Sequence, residues 1–150
     1  MKARGFTLIE ILLVSVVAAV LLCVAYAGYA PYAHRARVAH AVGEIGEIYM
    51  KAETFDLNNR RYPTSLVEIG MDGKLDPWGN PYQFLSFDGI EGNGPKRKFR
   101  SAVPVNSSFD VYSMGPDGST ATPFTAAPGQ DDIVMAGDGT YFGKAGDYGQ

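Results

Sequence analysis

Apolar positions change their spacing twice along this chain. From Phe6 to Ala33 they run almost unbroken, and from Ile11 to Ala33 there is no charged residue. That length predicts a helix able to cross a bilayer. Past the run, Val38, Val42, Ile45, Tyr49, Ala52 and Phe55 recur at steps of three or four, which predicts an amphipathic helix. Glu47 and Lys51 stand one helical turn apart on its polar side, placed for an ion pair. We read both stretches as one helix from about Phe6 to Asp56, stopped at Asn58-Asn59. Pro31, with Gly28 ahead of it, is expected to kink or loosen the helix where it leaves the apolar run.

After residue 60 the periodicity shortens and turn residues crowd in. A short helix is expected near Ser65–Glu68, then strands at Tyr82–Leu85, Phe109–Met114 and Ile133–Met135. Asp76-Pro77-Trp78-Gly79-Asn80-Pro81 and Gly115-Pro116-Asp117-Gly118 are dense turn signals between them. The basic stretch Lys96-Arg97-Lys98-Phe99-Arg100 reads as a solvated strand or loop. The expected fold class is α+β: a long N-terminal helix, transmembrane and then amphipathic, packed on a small antiparallel β-sheet with a loop-rich C-terminus. The boundaries are 1–5 for a leader, 6–33 for the membrane part, 34–57 for the amphipathic part of the same helix, and 58–150 for a globular β domain.

Composition narrows the classes. The formal net charge of −3 disfavours a nucleic-acid partner, and the basic stretch at 96–100 is too short to reverse that. The single cysteine, Cys23, lies in the apolar run, so no intramolecular disulfide can staple the domain. Packing, partner chains or a metal must hold it instead. His34 and His40 are six residues apart and do not share a helix face as a metal pair would. No Ser, Cys or Lys nucleophile has a recognisable base partner and no phosphate-cradling glycine loop occurs, so an enzyme is not expected. An anchored hydrolase using a pair of aspartates is the weaker alternative.

Glu10 is the residue that a plain membrane anchor does not explain. A charged group in the bilayer costs about 2.5–3.5 kcal/mol even on lenient insertion scales. Lys2 and Arg4 precede the run and keep the extreme N-terminus cytoplasmic, but the run is too long for an ordinary cleaved signal. A simple signal anchor, with Glu10 reaching back to the interface, is one reading.

Gly5-Phe6-Thr7-Leu8-Ile9-Glu10 resembles the processing signal of the type IV pilin-like superfamily, which includes type IV pilins and type II secretion pseudopilins. The resemblance implies that a prepilin peptidase cuts between Gly5 and Phe6 and methylates the new amine of Phe6. It also implies that Glu10 pairs with the N-terminal amine of a neighbouring subunit during filament assembly. Leu75 to Gln83, Phe109 to Gly118 and Asp131-Asp132-Ile133 resemble, in that order, blocks of the major pseudopilin family of type II secretion. The implied role is a structural subunit of a periplasmic filament. Its expected partners are itself, minor pseudopilins, prepilin peptidase, an inner-membrane assembly platform and the membrane. The monomer would be a single-pass inner-membrane protein with a periplasmic C-terminal domain. A type IV or competence-type pilin is the alternative filament.

Calcium is the one expected cofactor. By themselves the aspartates after Arg100 read equally as solubilising turn residues, since no EF-hand spacing is present. The pseudopilin resemblance implies a calcium held by the side chains of Asp117, Asp131 and Asp132 and by the backbone of Met114 and Ser119, with Asp138 in reserve. This chain departs from the family in the long stretch Ser119 to Gln130 and in its ending.

Overall fold

A computed structural model describes residues 6–150; Gly5 and the rest of the expected leader lie outside the described residues. Helix α1 runs Leu8–Asn59. Thr7 starts it: its N–H and hydroxyl both donate to Glu10 Oε2 at 3.0 Å, and the Glu10 N–H donates back to the Thr7 hydroxyl at 3.3 Å. This reciprocal capping box satisfies N–H groups that the first turn would leave bare. Arg60 closes the other end in a left-handed conformation (φ 57°), its N–H donating to the Asp56 carbonyl at 2.7 Å. As the single long helix expected, α1 is helical through Pro31. Proline removes one donor, and the turns on either side keep their own bonds.

The chain divides into two compact units, one ending at Ala36 and one comprising Arg37–Gln150. In the first, α1 is long and apolar enough to cross a membrane. Its large side chains are exposed along the whole stretch, from Leu8 at 89% through Leu13 at 63% to Tyr32 at 71%. A contiguous apolar surface of that extent marks contact with lipid or with other chains.

In the second unit the strands β1 (Gln83–Ser86), β2 (Phe109–Ser113), β3 (Ile133–Ala136) and β4 (Tyr141–Lys144) form one antiparallel sheet in chain order. The first three match the expected strands to within a residue. β4 was not expected; the turn Gly137-Asp138-Gly139-Thr140 sends the chain back along β3, pairing Ala136 with Tyr141 and Ile133 with Lys144. A 3₁₀ turn at Leu66–Ile69 stands where the short helix was expected.

The sheet is covered on both faces, and strand alternation sorts the side chains. Phe109 and Val111 of β2, with Ile133 and Met135 of β3, pack with Ala41, Ile45, Ile48 and Ala52 of α1. The helical residues recur at four, three and four, one stripe of a 3.6-residue period. The expected ion pair forms, Lys51 Nζ lying 3.3 Å from Glu47. A second cluster joins Val134 and Ala136 to Val105, Phe124 and Ala145, so loops and the C-terminal turn cover the face away from α1.

Candidate functional site

Two regions carry the candidate residues. At the N-terminus, Phe6 is 83% exposed and the Glu10 carboxylate is engaged by Thr7, as described above. The Thr7-Leu8-Ile9-Glu10 spacing is a capping-box signal legible in the sequence, and its role in starting the helix was missed there.

The second region is the long connection from β2 to β3. It begins on a docked turn. Asp76 Oδ1 accepts the N–H groups of Trp78 (3.0 Å) and Asn80 (2.8 Å), while its Oδ2 accepts the Ser113 hydroxyl at 2.5 Å. Asn80 donates to the Gly115 carbonyl at 2.9 Å. The Asp-Pro-Trp-Gly-Asn segment therefore fixes the place where β2 ends. Gly115 has φ 66°, and a Cβ there would lie 2.6 Å from the Asp131 carbonyl oxygen, so the two ends of the connection touch through a glycine. That approach is closed to any larger residue.

The expected calcium ligands do not gather into one set. Asp117 is exposed and spends Oδ1 on the Ser119 N–H at 2.7 Å. Asp117 and Asp131 line an open cleft with Asp147 and Lys144. Asp132 is fully buried and forms an ion pair with Arg97, Nη2 to Oδ2 at 2.7 Å. Asp138 occupies the β3–β4 turn at φ 51°, its carboxylate accepting the Ser107 N–H at 2.7 Å. Met114 and Ser119 stand at the start of the connection, half-buried and exposed respectively. Among the described residues no three His, Cys, Asp or Glu side chains are placed to hold a metal together. With Asp132 Oδ2 committed to Arg97 and the three carboxylates not grouped, the residues as placed do not make the implied calcium site.

Arg97 is the correction with the widest consequence. Expected in a solvated strand or loop, it is 3% exposed. Its Nη1 donates to the Ala121 carbonyl at 2.5 Å, and its Nη2 to Thr120 Oγ1 and Asp132 Oδ2, both at 2.7 Å. The Thr120 hydroxyl donates to the same carboxylate oxygen at 2.6 Å. The guanidinium carbon sits 3.6 Å from the centre of the Tyr112 ring, a close cation–π stack. The Arg97 N–H donates to Asp110 Oδ2 at 2.7 Å, and Asn106 donates to Asp110 Oδ1 at 2.8 Å. Asp132 Oδ1 is buried with no hydrogen-bond partner in the protein. Burial raises the Asp110 carboxyl above its ordinary range, opposed by these donors.

Burial likewise pushes Asp132 up to about 6, despite Thr120 and Arg97. The folded chain thus takes up a proton near pH 6 that the unfolded chain accepts only near its ordinary 3.8. The folded state binds more protons in that window, so this group's contribution to stability falls as pH rises from 4 to 6. A carbon-13 titration of the Asp132 carboxyl is expected to show its midpoint near 6; a midpoint at or below 4 would contradict this.

Sequence reasoning missed Arg97, Asp110, Asn106 and Thr120. One signal was available. Asp110 interrupts the strand Phe109–Ser113, and Asp132 directly precedes the apolar Ile133–Ala136, so two carboxylates were due for burial and needed partners. Which cation would answer them was not legible.

A helix beginning at a processing-type signal, apolar for a membrane's length and then packed by its second half on an antiparallel sheet, defines a pilin-like protein. Residues 1–26 match the prokaryotic N-terminal methylation motif. The chain is 30% identical to the type II secretion system core protein G of Pseudomonas aeruginosa, over 78% of this chain and 86% of that protein. It is 29% identical to the protein of that name from Dickeya chrysanthemi, over 81% and 82%. For Aeromonas hydrophila the identity is 28%, over 81% and 88%. The chain belongs to the family of type II secretion system core protein G. No solved structure matches it significantly.

Proposed function

We propose that the chain is a structural subunit of the pseudopilus of a type II secretion system, and not an enzyme. The reading rests on one observation: a methylation-type signal opens a helix whose apolar surface is exposed, in a chain similar along most of its length to core protein G. The monomer waits in the inner membrane with residues 37–150 on the periplasmic side. Prepilin peptidase cuts between Gly5 and Phe6 and methylates the Phe6 amine. The helices then leave lipid for one another, with minor pseudopilins and the inner-membrane platform as assembly partners. Exchange of lipid for protein leaves the apolar surface covered throughout, so the step needs little hydrophobic driving force of its own. Glu10 would supply register: with Thr7 on Oε2, the carboxylate still has lone pairs for the methylated amine of a neighbouring subunit. That pairing neutralises two charges inside an apolar filament.

Intact-mass analysis of protein made beside a prepilin peptidase is expected to show loss of residues 1–5 and one added methyl on Phe6. Deleting the gene in its native host should leave exported proteins trapped in the periplasm, with rescue by the wild type and none by Gly5→Val. An unprocessed N-terminus, or normal secretion with a loss of pili, would overturn the assignment.

A further inference from the structure

The connection between β2 and β3 must be closed by something. It is long, it carries Asp117, Asp131 and Asp132, and no disulfide can pin it. In a metal-closed loop a divalent cation does two jobs: it neutralises buried carboxylate, and it gathers oxygens from separated parts of the chain. One side chain here does both. The Arg97 guanidinium neutralises Asp132 and collects the Ala121 carbonyl and the Thr120 hydroxyl, all within 2.7 Å. Its planar fork suits several oxygens held in fixed directions, which a lysine would not match. The backbone on either side reinforces the hold: Lys98 N–H donates to the Thr122 carbonyl at 3.1 Å, and Phe124 N–H to the Lys98 carbonyl at 3.0 Å. Phe124, 1% exposed, is thereby set into the second core beside Phe99 and Tyr148.

We propose that Arg97 is the internal cation of this domain, performing the structural role that the pseudopilin resemblance gives to calcium, so that residues 114–132 fold without a metal. Asp132 is its counter-ion, Thr120 and Ala121 are the loop groups it captures, and Tyr112 is the platform under it. Asp117 and Asp131 are then free of any structural ligand duty. The inference concerns the domain alone and stands or falls apart from the filament role.

The test uses the full chain purified in detergent, with calcium chloride and EGTA as the probes. Two readouts serve: the melting temperature, and the rate of chymotrypsin cleavage at Phe124 followed by mass spectrometry. Wild type is expected to melt at the same temperature in excess calcium and in EGTA, with Phe124 equally protected in both. Arg97→Leu is expected to expose Phe124, speeding cleavage at least about tenfold, with Arg97→Lys in between. A clear rise in wild-type melting temperature with calcium, or faster wild-type cleavage in EGTA, would overturn the proposal and make the orphaned Asp132 Oδ1 a metal ligand. So would unchanged protection in Arg97→Leu. Should Arg97→Leu fail to fold, the wild-type comparison still decides.

Discussion

Phe109→Ala is expected to destabilise the second unit by about 3–5 kcal/mol, a large share of the roughly 5–15 kcal/mol that holds a typical domain together. The position explains the size. Phe109 is 2% exposed at the start of β2, on the face turned to α1. Its ring centre lies 5.0 Å from Phe84, 5.3 Å from Tyr62 and 6.1 Å from Tyr49. It therefore joins β1, the segment after α1 and α1 itself. Its removal empties the point where all three meet, and Tyr49 is also held by Phe142, their ring centres 5.6 Å apart, which limits collapse into the gap. Urea unfolding of the full chain in detergent, followed by tryptophan fluorescence of Trp78, measures the loss. A change below about 1 kcal/mol would mean that the helix–sheet core is not the main source of stability.

Asp132→Ala is expected to cost a similar amount, about 3–5 kcal/mol, for an electrostatic reason. The substitution opens little volume. It leaves the Arg97 guanidinium, 3% exposed, without the carboxylate 2.7 Å away. A buried pair need not be stabilising overall, because both ions lose their hydration, but breaking it strands one of them. The double substitution Arg97→Leu with Asp132→Leu separates these contributions. It is expected to be less destabilising than the sum of its two single changes, since no charge is left stranded. Strict additivity in this cycle would show that the two residues act independently.

The candidate residues differ in how far the sequence exposed them. Gly5, Phe6 and Glu10 form a local signal read within a few residues, and the apolar run behind them needs only its length to be recognised. The core face of α1 was partly legible: Ile45 and Ala52 were expected and are fully buried, while Ile48 and Ala41 were not named. Strands β1 to β3 announced themselves by alternation and turn residues. β4 did not, because Tyr141-Phe142-Gly143-Lys144 is short, contains a glycine and is half-buried throughout. The pairing of Asp132 with Arg97 was not foreseen, because a run of basic residues is ordinarily solvated, and nothing local distinguishes Arg97 from Lys96 or Lys98.

By itself, then, the sequence determined the processing signal, the membrane-length helix and its amphipathic continuation, and the α+β order of elements. Each of these is written in nearest-neighbour spacing, and periods of two or 3.6 residues survive in a one-dimensional string. The tertiary structure decided what covers the second face of the sheet, and that Arg97 meets Asp132 across 35 residues of chain. Charge pairing in a core depends on which segments the fold brings within about 3 Å, and no local spacing encodes that.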